Sequence, residues 1–399
     1  MPSIAVQTTP DAAMVEQAAR TVVTRHPPGS VPLTELMGAW YDAGLTWVHF
    51  PQGLGGMEAP RQLQPLANRI MREAGGPEPR TVNTIGYGIV AGTIRRYASP
   101  EFAAQLLRPL ATGEEKWCQL FSEPGAGSDL AGLATRAVRE GDGWRVNGQK
   151  VWNSLAHISR WAVLLARTDP DVPKHKGLTY FILDMHSPGV DVRPLRQLTG
   201  RAQFNEVFLD DVLIPDTQRL GDVGSGWFVA NSTLADERTS LGERVVARGS
   251  GAIGDAVQLW VDHPANQSPA LRERLARLWV RSEAHRLTIE RARIAATTGT
   301  VGPESAITKL AGSELTQAVY EFCIEFLAAQ GALMDTYAPD AVDDESGPNG
   351  IQRRYLRSRA TTLEGGTSEI MRNVIGERVL KLPQELRNDK TVPWRDVPR

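Results

Sequence analysis

The middle of the chain, from about residue 113 to about residue 223, restricts the possible fold more than any other feature. It carries a series of short β-prone runs separated by Pro, Gly and Asp: "WAVLLA", "LTYFILD", "GVDVRP" and "FNEVFLDDVLIP". Because no helical pattern of comparable strength interrupts them, an antiparallel sandwich or barrel is predicted. An earlier run, "GWRVNGQKVW", places Asn147-Gly148 between two β-prone halves, which predicts a type I′ hairpin.

The segment before this stretch has helical periodicity. Near its start, Asp11 is predicted to cap a helix whose apolar face repeats every three or four residues, at Ala12, Val15, Ala19 and Val22. Breaks follow at "HPPGS", "FPQGLGG" and "EAGGPEP". Several short helices joined by loops are therefore expected before the β-prone stretch.

Longer helices are predicted after about residue 226. One of them has an apolar stripe formed by Ile307, Ala311, Leu315, Ala318, Phe322 and Phe326. The predicted fold is therefore mixed α and β. It has an N-terminal α-helical domain (residues 1–112), a central antiparallel β-sandwich or barrel (113–225) and a C-terminal four-helix bundle (226–399).

Composition excludes several classes of function. The 399 residues include 44 basic and 46 acidic side chains, so the net charge of −2 gives no reason to expect binding to nucleic acid or an anionic membrane. No apolar run reaches the roughly 18 residues of a membrane span, and no signal-peptide pattern is seen, which predicts a soluble cytoplasmic protein. The histidines form no metal-binding motif, so no metal is expected. Cys118 and Cys323 could pair, but buried free thiols are favoured.

The densest candidate site begins at "QLFSEPGAGSDLAG", residues 119–132. Its small residues let a ligand approach the backbone, and Ser122 and Ser128 add hydroxyl groups. About 20 residues later, "VWNS" supplies an aromatic face at Trp152 and a hydroxyl at Ser154, which regular alternation would place on the same face of a strand. Together these groups suit a flat, electron-poor heterocycle. Alternatively, the glycines form only a turn, and Trp152 belongs to the core.

Together these motifs resemble those of one family. "SEPGAGSDLAGLATRAVREGDGWRVNGQKVWNS", followed by "ARTDP", resembles the flavin-binding core of the acyl-CoA dehydrogenases. "WYDAGLTWVHFPQGLGG", "GVDVRPLRQLTGRAQFNEVFLDDVLIP" and "EGGTSEIMRNVIGERVLKLP" are similar to the family's N-terminal helical domain, the end of its β-domain and its C-terminal helix, respectively. The resemblance extends over nearly the whole chain, in the family's order.

The resemblance implies that FAD binds between the β-domain and the helical bundle, with other subunits completing the site. Trp152 would pack on the isoalloxazine ring. Ser122 and Ser154 would form hydrogen bonds on its N5/O4 side, and Gln119 and Phe121 would supply nearby backbone groups.

Further contacts are implied outside the ring. Gly127 belongs to the turn that the cofactor approaches, and Ser128 would lie at the passage taken by the pantetheine arm of the acyl-CoA. Thr367 and Glu369 match positions that contact FAD beyond the ring.

The activity implied by the resemblance is α,β-dehydrogenation of an acyl-CoA thioester. A carboxylate removes the α-proton while the β-hydrogen leaves as a hydride to flavin N5. An unactivated thioester α-proton is too weak an acid for a carboxylate at neutral pH. Hydrogen bonds to the thioester oxygen must therefore stabilise the developing enolate. A desolvated glutamate with a raised pKa is the matching base.

The position of the base departs from the pattern of many family members, which place a glutamate directly before the Gly-Thr of "GTSE". Gly365 occupies that position here, Glu364 falls one residue earlier, and Glu369 stands too far along. A second family location lies near the start of a later helix, directly before an arginine. Glu237, followed by Arg238 in "STLADERTSLGERV", matches it and is the predicted base, with Arg238 as a substrate contact.

Other interpretations of these residues stay open. An Asp-Glu-Arg run early in a helix is ordinarily a solvated first turn, and Arg238 could simply pair with Glu237. The family's Arg-x-x-Phe-Gly, which contacts FAD across the subunit interface, is missing, so either Arg272, Arg274 or Arg277 replaces it or the FAD pyrophosphate is held differently. The chain could therefore be a non-catalytic partner in a heteromer. An acyl-CoA oxidase, in which reduced flavin reacts with O2, is a separate alternative that the sequence does not distinguish.

The resemblance also implies the partners of the protein. An electron-transfer flavoprotein is the expected electron acceptor, and the expected assembly is a homodimer, a homotetramer or a heterotetramer with a homologue. A base at the Glu237 position is associated with branched or long acyl groups, but the sequence itself does not identify the acyl chain.

Overall fold

The computed structural model describes the backbone of residues 9–242, 247–297, 304–334, 350–385 and 389–397. For residues 235–242, 296–297 and 304–305 it describes the backbone only. Contacts divide the chain into two compact units. The first comprises residues 1–194, 204–237 and 388–399, and the second comprises residues 195–203 and 238–387.

The first unit opens with a group of helices, which are α1 (Pro10–Arg25), α2 (Leu33–Asp42), α3 (Gln64–Glu73), α4 (Pro79–Val82), α5 (Ala91–Tyr97) and α6 (Pro100–Thr112). The predicted apolar face of α1 is confirmed, because Ala12, Val15, Ala19 and Val22 are all buried. The predicted cap was wrong. The Thr9 hydroxyl accepts a hydrogen bond from the Ala12 amide, and Pro10 already occupies the first helical position, so Asp11 lies inside the first turn.

The β-prone stretch folds into one eight-stranded sheet. Its strands are β1 (Trp117–Leu120), β2 (Arg136–Glu140), β3 (Gly143–Ser154), β4 (Trp161–Arg167), β5 (Leu178–Asp184), β6 (Val190–Leu195), β7 (Phe204–Pro215) and β8 (Arg219–Leu220). The order across the sheet is β6-β7-β3-β2-β4-β5-β8, and β1 pairs with β4 outside this path. Antiparallel pairs predominate, but β1 pairs with β4 in parallel and β2 meets β4 in a single parallel pair.

The hairpin predicted at Asn147-Gly148 was wrong, because both residues lie within the continuous strand β3. The register between β3 and β7 shifts there, and an extra residue on β7 places Asp211 at φ 53°. Asn147 exchanges two hydrogen bonds with Asp211, of 2.9 and 3.0 Å. A Cβ at Gly148 would lie 2.4 Å from the Thr135 hydroxyl. A bulge and a close approach therefore explain this Asn-Gly pair.

The hairpin lies six residues earlier in the chain. β2 and β3 are joined by the two-residue loop Gly141-Asp142, with Glu140 paired to Gly143 and Gly141 at φ 53°. Gly-Asp is also a sequence pattern of two-residue hairpins, since a type II′ turn requires a positive φ at its first loop position only, and Asp142 has none.

Helices return with α7 (Gly226–Gly242), which begins in the first unit, and the second unit contains α8 (Ala252–Asp262), α9 (Pro269–Thr297), α10 (Glu304–Phe326), α11 (Gly350–Ser358) and α12 (Ser368–Val374). The predicted stripe on α10 is correct in its second half. Leu315, Phe322 and Phe326 are buried, whereas Ala311 is exposed. The Phe326 ring also stacks on Trp260 of α8, with ring centroids 5.2 Å apart.

The helix–sheet–helix order confirms the predicted mixed α and β fold. The predicted domain boundaries at residues 112/113 and 225/226 stay predictions. Cys118 and Cys323 are both free and buried. In the described ranges, no helix is long and apolar enough to cross a membrane, and no cluster of three or more His, Cys, Asp or Glu side chains could hold a metal ion.

Candidate active site

The end of β1 leads into the Gly-rich motif. Gln119 is half-buried, and Phe121 is 4% exposed with its ring edge-on to Tyr180, at 5.7 Å between centroids. The Phe121 side chain therefore belongs to the core and only its backbone is available to a ligand. Ser122 is half-buried, and its carbonyl accepts a hydrogen bond from the Val151 amide at 2.9 Å. The segment 119–122 is thus attached to β3.

The Gly-rich motif itself forms a tight turn. Glu123 and Ala126 exchange two backbone hydrogen bonds, of 3.0 and 3.1 Å. Apart from its own chain neighbours, a Cβ placed at Gly125 or Gly127 would meet no atom of the described residues within 4 Å. Packing within the chain therefore does not require glycine there, and the space beside both residues is open. Ser128, which follows the turn, is exposed.

Trp152 lies in a second irregularity of β3. The pairing with β7 advances three residues on β3, from Lys150 to Asn153, against two on β7. The extra residue forms a bulge in which Trp152 takes φ 61°, a left-handed conformation unusual for a bulky side chain. The indole is 61% exposed and touches the Phe204 ring edge-on, at 6.2 Å between centroids.

Strand β3 returns to regular alternation of its side chains at the end of the bulge. Asn153 is buried, whereas Trp152 is exposed and Ser154 is half-buried. This pattern agrees with the expectation that Trp152 and Ser154 share a face. The Asn153 amide donates to the Gln119 carbonyl at 2.8 Å, and the Asn205 amide donates to the Asn153 carbonyl at 2.9 Å. The structure therefore brings together predicted site residues from β1 and from β3.

The buried ion pair next to this site was not predicted from the sequence. Lys150 is completely buried, and its ammonium donates to the Glu123 carboxylate and to the Phe121 carbonyl, both at 2.9 Å. Burial lowers the pKa of Lys150 to about 8, although Glu123 opposes the shift. Burial would raise the pKa of Glu123, but Lys150 and two hydrogen bonds from Ala134 and Thr135 hold it below its ordinary value.

The strand pattern contained a signal for this pair. Trp144, Val146 and Lys150 occupy alternate positions of β3, and all three are buried. A lysine in line with inward-facing apolar residues requires a buried partner, because an unpaired buried ammonium is strongly disfavoured. The partner, Glu123, lies inside the Gly-rich motif, whose small residues and hydroxyl groups alone had suggested a site.

The predicted base and its neighbouring arginine belong to α7. The side chains of Glu237 and Arg238 lie outside the part of the chain that the structure describes. One helical turn before Glu237, Thr233 is completely buried. Its hydroxyl lies 2.8 Å from the Thr93 hydroxyl and 3.3 Å from that of Tyr180. The start of α7 is thus anchored to the core of the first unit.

The C-terminal motif is a turn followed by a helix. Gly365 and Gly366 both have positive φ angles, of 62° and 97°, so the segment before α12 is not helical. The Thr367 hydroxyl caps α12 by accepting from the Ile370 amide at 3.1 Å. The Glu369 side chain is 77% exposed, and Glu364 binds Arg357 at 2.8 Å.

Two of the three arginines expected to replace the missing Arg-x-x-Phe-Gly are already engaged. Arg274 pairs with Glu325, and Arg277 pairs with Glu273. Arg272 is exposed and has no ion-pair partner among the residues that the structure describes. Of the three, Arg272 is therefore the most available for an external anion.

A contact made by the C-terminal segment was also not predicted from the sequence. The Trp394 indole donates to the Gly132 carbonyl at 3.1 Å, and its ring lies under the Arg167 guanidinium at 4.2 Å from the centroid. Lys174 binds Asp129 at 2.8 Å and Asp389 at 2.5 Å. Residues 389–397 therefore pack on the loop that follows Ser128.

Two family models and two relatives that match this chain are all acyl-CoA dehydrogenases. Residues 118–212 match the family model of the acyl-CoA dehydrogenase middle domain, and residues 224–380 match that of the acyl-CoA dehydrogenase C-terminal domain. The chain is 38% identical over 348 residues to acyl-CoA dehydrogenase IpdE1 of Mycobacterium tuberculosis, covering 86% of each protein. It is 40% identical over 358 residues to acyl-CoA dehydrogenase FadE34 of the same organism. That alignment covers 89% of this chain but only 47% of FadE34, so the chain spans about half the length of that relative.

Among solved structures, the chain is similar to the ChsE4–ChsE5 complex from M. tuberculosis, with a TM-score of 0.70. The match covers 96% of this chain and all of the matched chain, at 24% sequence identity. At this identity the similarity shows the fold alone.

Proposed function

This chain belongs to the FAD-dependent acyl-CoA dehydrogenase family, and we propose that it dehydrogenates an acyl-CoA thioester between the α and β carbons. The exposed Trp152 carries the proposal. A tryptophan in a left-handed bulge, 61% exposed beside a Gly-rich turn, has no evident role in the core and offers a flat apolar face to a ligand ring.

The residues around Trp152 fit an isoalloxazine ring. No other described residue forms a hydrogen bond with the hydroxyl of Ser122 or Ser154, so both can bind polar ring atoms. The open space at Gly127 allows close approach of a ligand to the backbone. We propose these residues, with the backbone of Gln119 and Phe121, as the ring site. FAD, when bound there, supplies the hydride acceptor.

Three further residues complete the proposed set of ligand contacts. Thr367 and Glu369 are proposed to contact FAD beyond the ring. The Thr367 hydroxyl already caps α12, which leaves its second lone pair and its backbone for a ligand. Ser128 is exposed directly after the Gly-rich turn, as a residue at the passage for the pantetheine arm must be.

We propose Glu237 as the general base. It stands one turn beyond Thr233, whose buried hydroxyl contacts fix the rotation of α7 relative to Tyr180 and Thr93. A base attached to such an anchored helix can hold its carboxylate at one position relative to the substrate α-carbon. Arg238 is proposed to contact the substrate. With the base at position 237, the substrate is proposed to carry a branched or long acyl group.

The proposal is tested by anaerobic titration of purified protein with short, branched, long and ring-bearing acyl-CoAs. The protein should be yellow, and at least one acyl-CoA should bleach it. Glu237→Gln should retain the flavin but bleach about 10²–10⁴-fold more slowly, because it lacks the general base. Glu364→Gln is the matched control and should bleach at the wild-type rate. Wild-type bleaching by Glu237→Gln would show that another group is the base.

A non-catalytic subunit is the second candidate, because Gly365 stands where many family members carry the base and Arg-x-x-Phe-Gly is missing. The ChsE4–ChsE5 complex shows that a two-protein assembly occurs with this fold. Protein that is colourless alone and acquires FAD only when co-expressed with a homologue would favour this candidate. Protein that is yellow and bleached alone would favour a homo-oligomer with an electron-transfer flavoprotein as acceptor. Peroxide production without an added acceptor would identify an oxidase.

A further inference from the structure

We propose that the buried ion pair between Glu123 and Lys150 is a positioning device for the flavin ring site. In this proposal the pair fixes the backbone of Phe121 and Ser122 against the strand that carries Trp152. Neither charged group touches the ligand. The inference deepens the proposed function and rests on it for the identity of the ligand.

The pair connects three segments of the chain. The Lys150 ammonium binds the Glu123 carboxylate and the Phe121 carbonyl. The two Glu123 oxygens also accept from the backbone amides of Ala134, at 2.6 Å, and Thr135, at 2.9 Å. One buried cluster therefore holds the end of β1, the interior of β3 and the chain that enters β2.

Strand β1 needs this attachment because its backbone pairing is one-sided. It pairs in parallel with β4, residue by residue from Trp117 to Leu120. Toward β3 it is held instead by side chains, with Lys150 bound to the Phe121 carbonyl and Asn153 bound to the Gln119 carbonyl. Among the residues that the structure describes, only the Val151 amide, which binds the Ser122 carbonyl, supplies a backbone bond there.

The same side chains flank the bulge. Lys150 and Asn153 are the two β3 residues between which the register shifts, and both are at most 1% exposed. Their inward bonds hold the two ends of the bulge, and Trp152 lies between them. Fixing these ends fixes the distance between the indole and the backbone of Ser122.

A contribution to stability does not by itself explain why Glu123 and Lys150 form a buried ion pair in this position. A buried ion pair can often be replaced by apolar residues of similar volume without loss of stability, because desolvation offsets the attraction. The apolar replacement cannot reproduce the directional bonds to the Phe121 carbonyl or to the amides of Ala134 and Thr135. A role in positioning therefore predicts that stability and ligand binding will respond differently to the replacement.

The test is the double variant Glu123→Met with Lys150→Met. We expect it to unfold within a few degrees of the wild type, but to bind FAD about tenfold more weakly, which corresponds to the loss of about one hydrogen bond. Its bound flavin should also have a shifted visible absorption band. Arg145 lies on the same strand as Lys150 and forms an exposed ion pair with Glu140 of β2; Arg145→Met removes this pair, is the matched control and should change neither property.

Wild-type FAD affinity and an unshifted spectrum in the double variant would overturn the proposal. If the double variant does not fold, Glu123→Gln takes its place, since it keeps the shape and removes the charge. The same loss of affinity is expected, and its absence would overturn the proposal equally.

Hydrogen exchange separates this proposal from the proposed function. In protein without FAD, the Val151 amide should exchange about tenfold faster in the double variant than in the wild type, whereas amides of β5 should not change. Unchanged exchange at Val151 would contradict positioning by the pair. A wild-type protein that does not bind FAD would instead contradict the proposed function, and the exchange experiment would still decide the role of the pair.

Discussion

The two ends of β3 carry the same residue type in opposite environments. Trp144 near the start is 5% exposed, packs edge-on against Phe181 and donates from its indole to Asp216 at 2.7 Å. Trp152 near the end is 61% exposed, has a left-handed backbone and, among the aromatic rings that the structure describes, touches only Phe204. Eight positions along one strand separate a tryptophan that stabilises the core from one that faces outward.

Strand register explains the difference. Trp144 lies in the regular part of β3, opposite Ile214 of β7, where alternation directs every second side chain inward. Trp152 lies in the bulge, where an inserted residue interrupts the alternation and presents the indole outward. A site for a flat ligand is therefore made by breaking the regularity that builds the core.

The largest expected difference between the two ends is in stability. Trp144→Ala should lower the free energy of unfolding by about 3–5 kcal/mol, because it leaves a cavity between β3 and Phe181. Trp152→Ala should lower it by less than about 1 kcal/mol, because the indole is already largely exposed. Chemical denaturation of both variants measures the difference. Equal losses of unfolding free energy would contradict the distinction between the end of β3 at Trp144, which belongs to the core, and the end at Trp152, which faces outward.

The second prediction concerns the backbone of the bulge. A left-handed residue with a side chain costs about 1–2 kcal/mol relative to glycine. Trp152→Gly should therefore be more stable than Trp152→Ala by about that amount. At Arg145, in the regular part of the strand, the order should reverse, since glycine destabilises a strand interior. The same order at both positions would show that the bulge is not retained in solution.

The third prediction concerns the ligand. Trp152→Ala should weaken FAD binding by about 0.5–1.5 kcal/mol, the usual contribution of an aromatic pair, which is roughly two- to tenfold in Kd. Trp152→Phe should restore most of the affinity. Folded Trp144→Phe should bind FAD like the wild type. If substitution of Trp144 weakened FAD binding and substitution of Trp152 did not, the assignment of the ligand site to the Trp152 end of β3 would be wrong.

The smallest effect depends on pH. Hydrogen bonds from Arg219 and Trp144, together with the charge of Arg139, hold the pKa of Asp216 well below its ordinary value. A carboxylate with a lowered pKa stabilises the folded state above its ordinary pKa near 4, and this stabilisation is lost as the pH falls below that value. Wild type should therefore lose more stability than Asp216→Asn between pH 5 and pH 3. Equal losses of stability in the wild type and in Asp216→Asn would show that Asp216 does not stabilise the packing around Trp144.

The sequence was most informative where one physical rule decides the structure. The apolar face of α1 follows from helical periodicity, so Ala12, Val15, Ala19 and Val22 could be predicted as buried. The helix start was displaced because Thr9 and Asp11 are both good caps, and Pro10 decided in favour of Thr9. The mixed fold follows from the change of periodicity along the chain.

Prediction failed where contacts distant in sequence decide the structure. Asn147-Gly148 is a strong local turn signal, but Thr135 and the bulge at Asp211 use the same two residues within a strand. The pairing of Lys150 with Glu123 across 27 positions could not be located by local pattern. The residue types at the candidate site were readable from the sequence, but the bulge that exposes Trp152 required the register with β7.

A crystal structure of the protein with FAD tests the central claim most directly. The isoalloxazine ring should lie in van der Waals contact with the Trp152 indole, about 3.5–4 Å away. The hydroxyls of Ser122 and Ser154 should lie within hydrogen-bond distance of polar ring atoms. A ring bound elsewhere, with the Trp152 indole still facing solvent, would contradict the account.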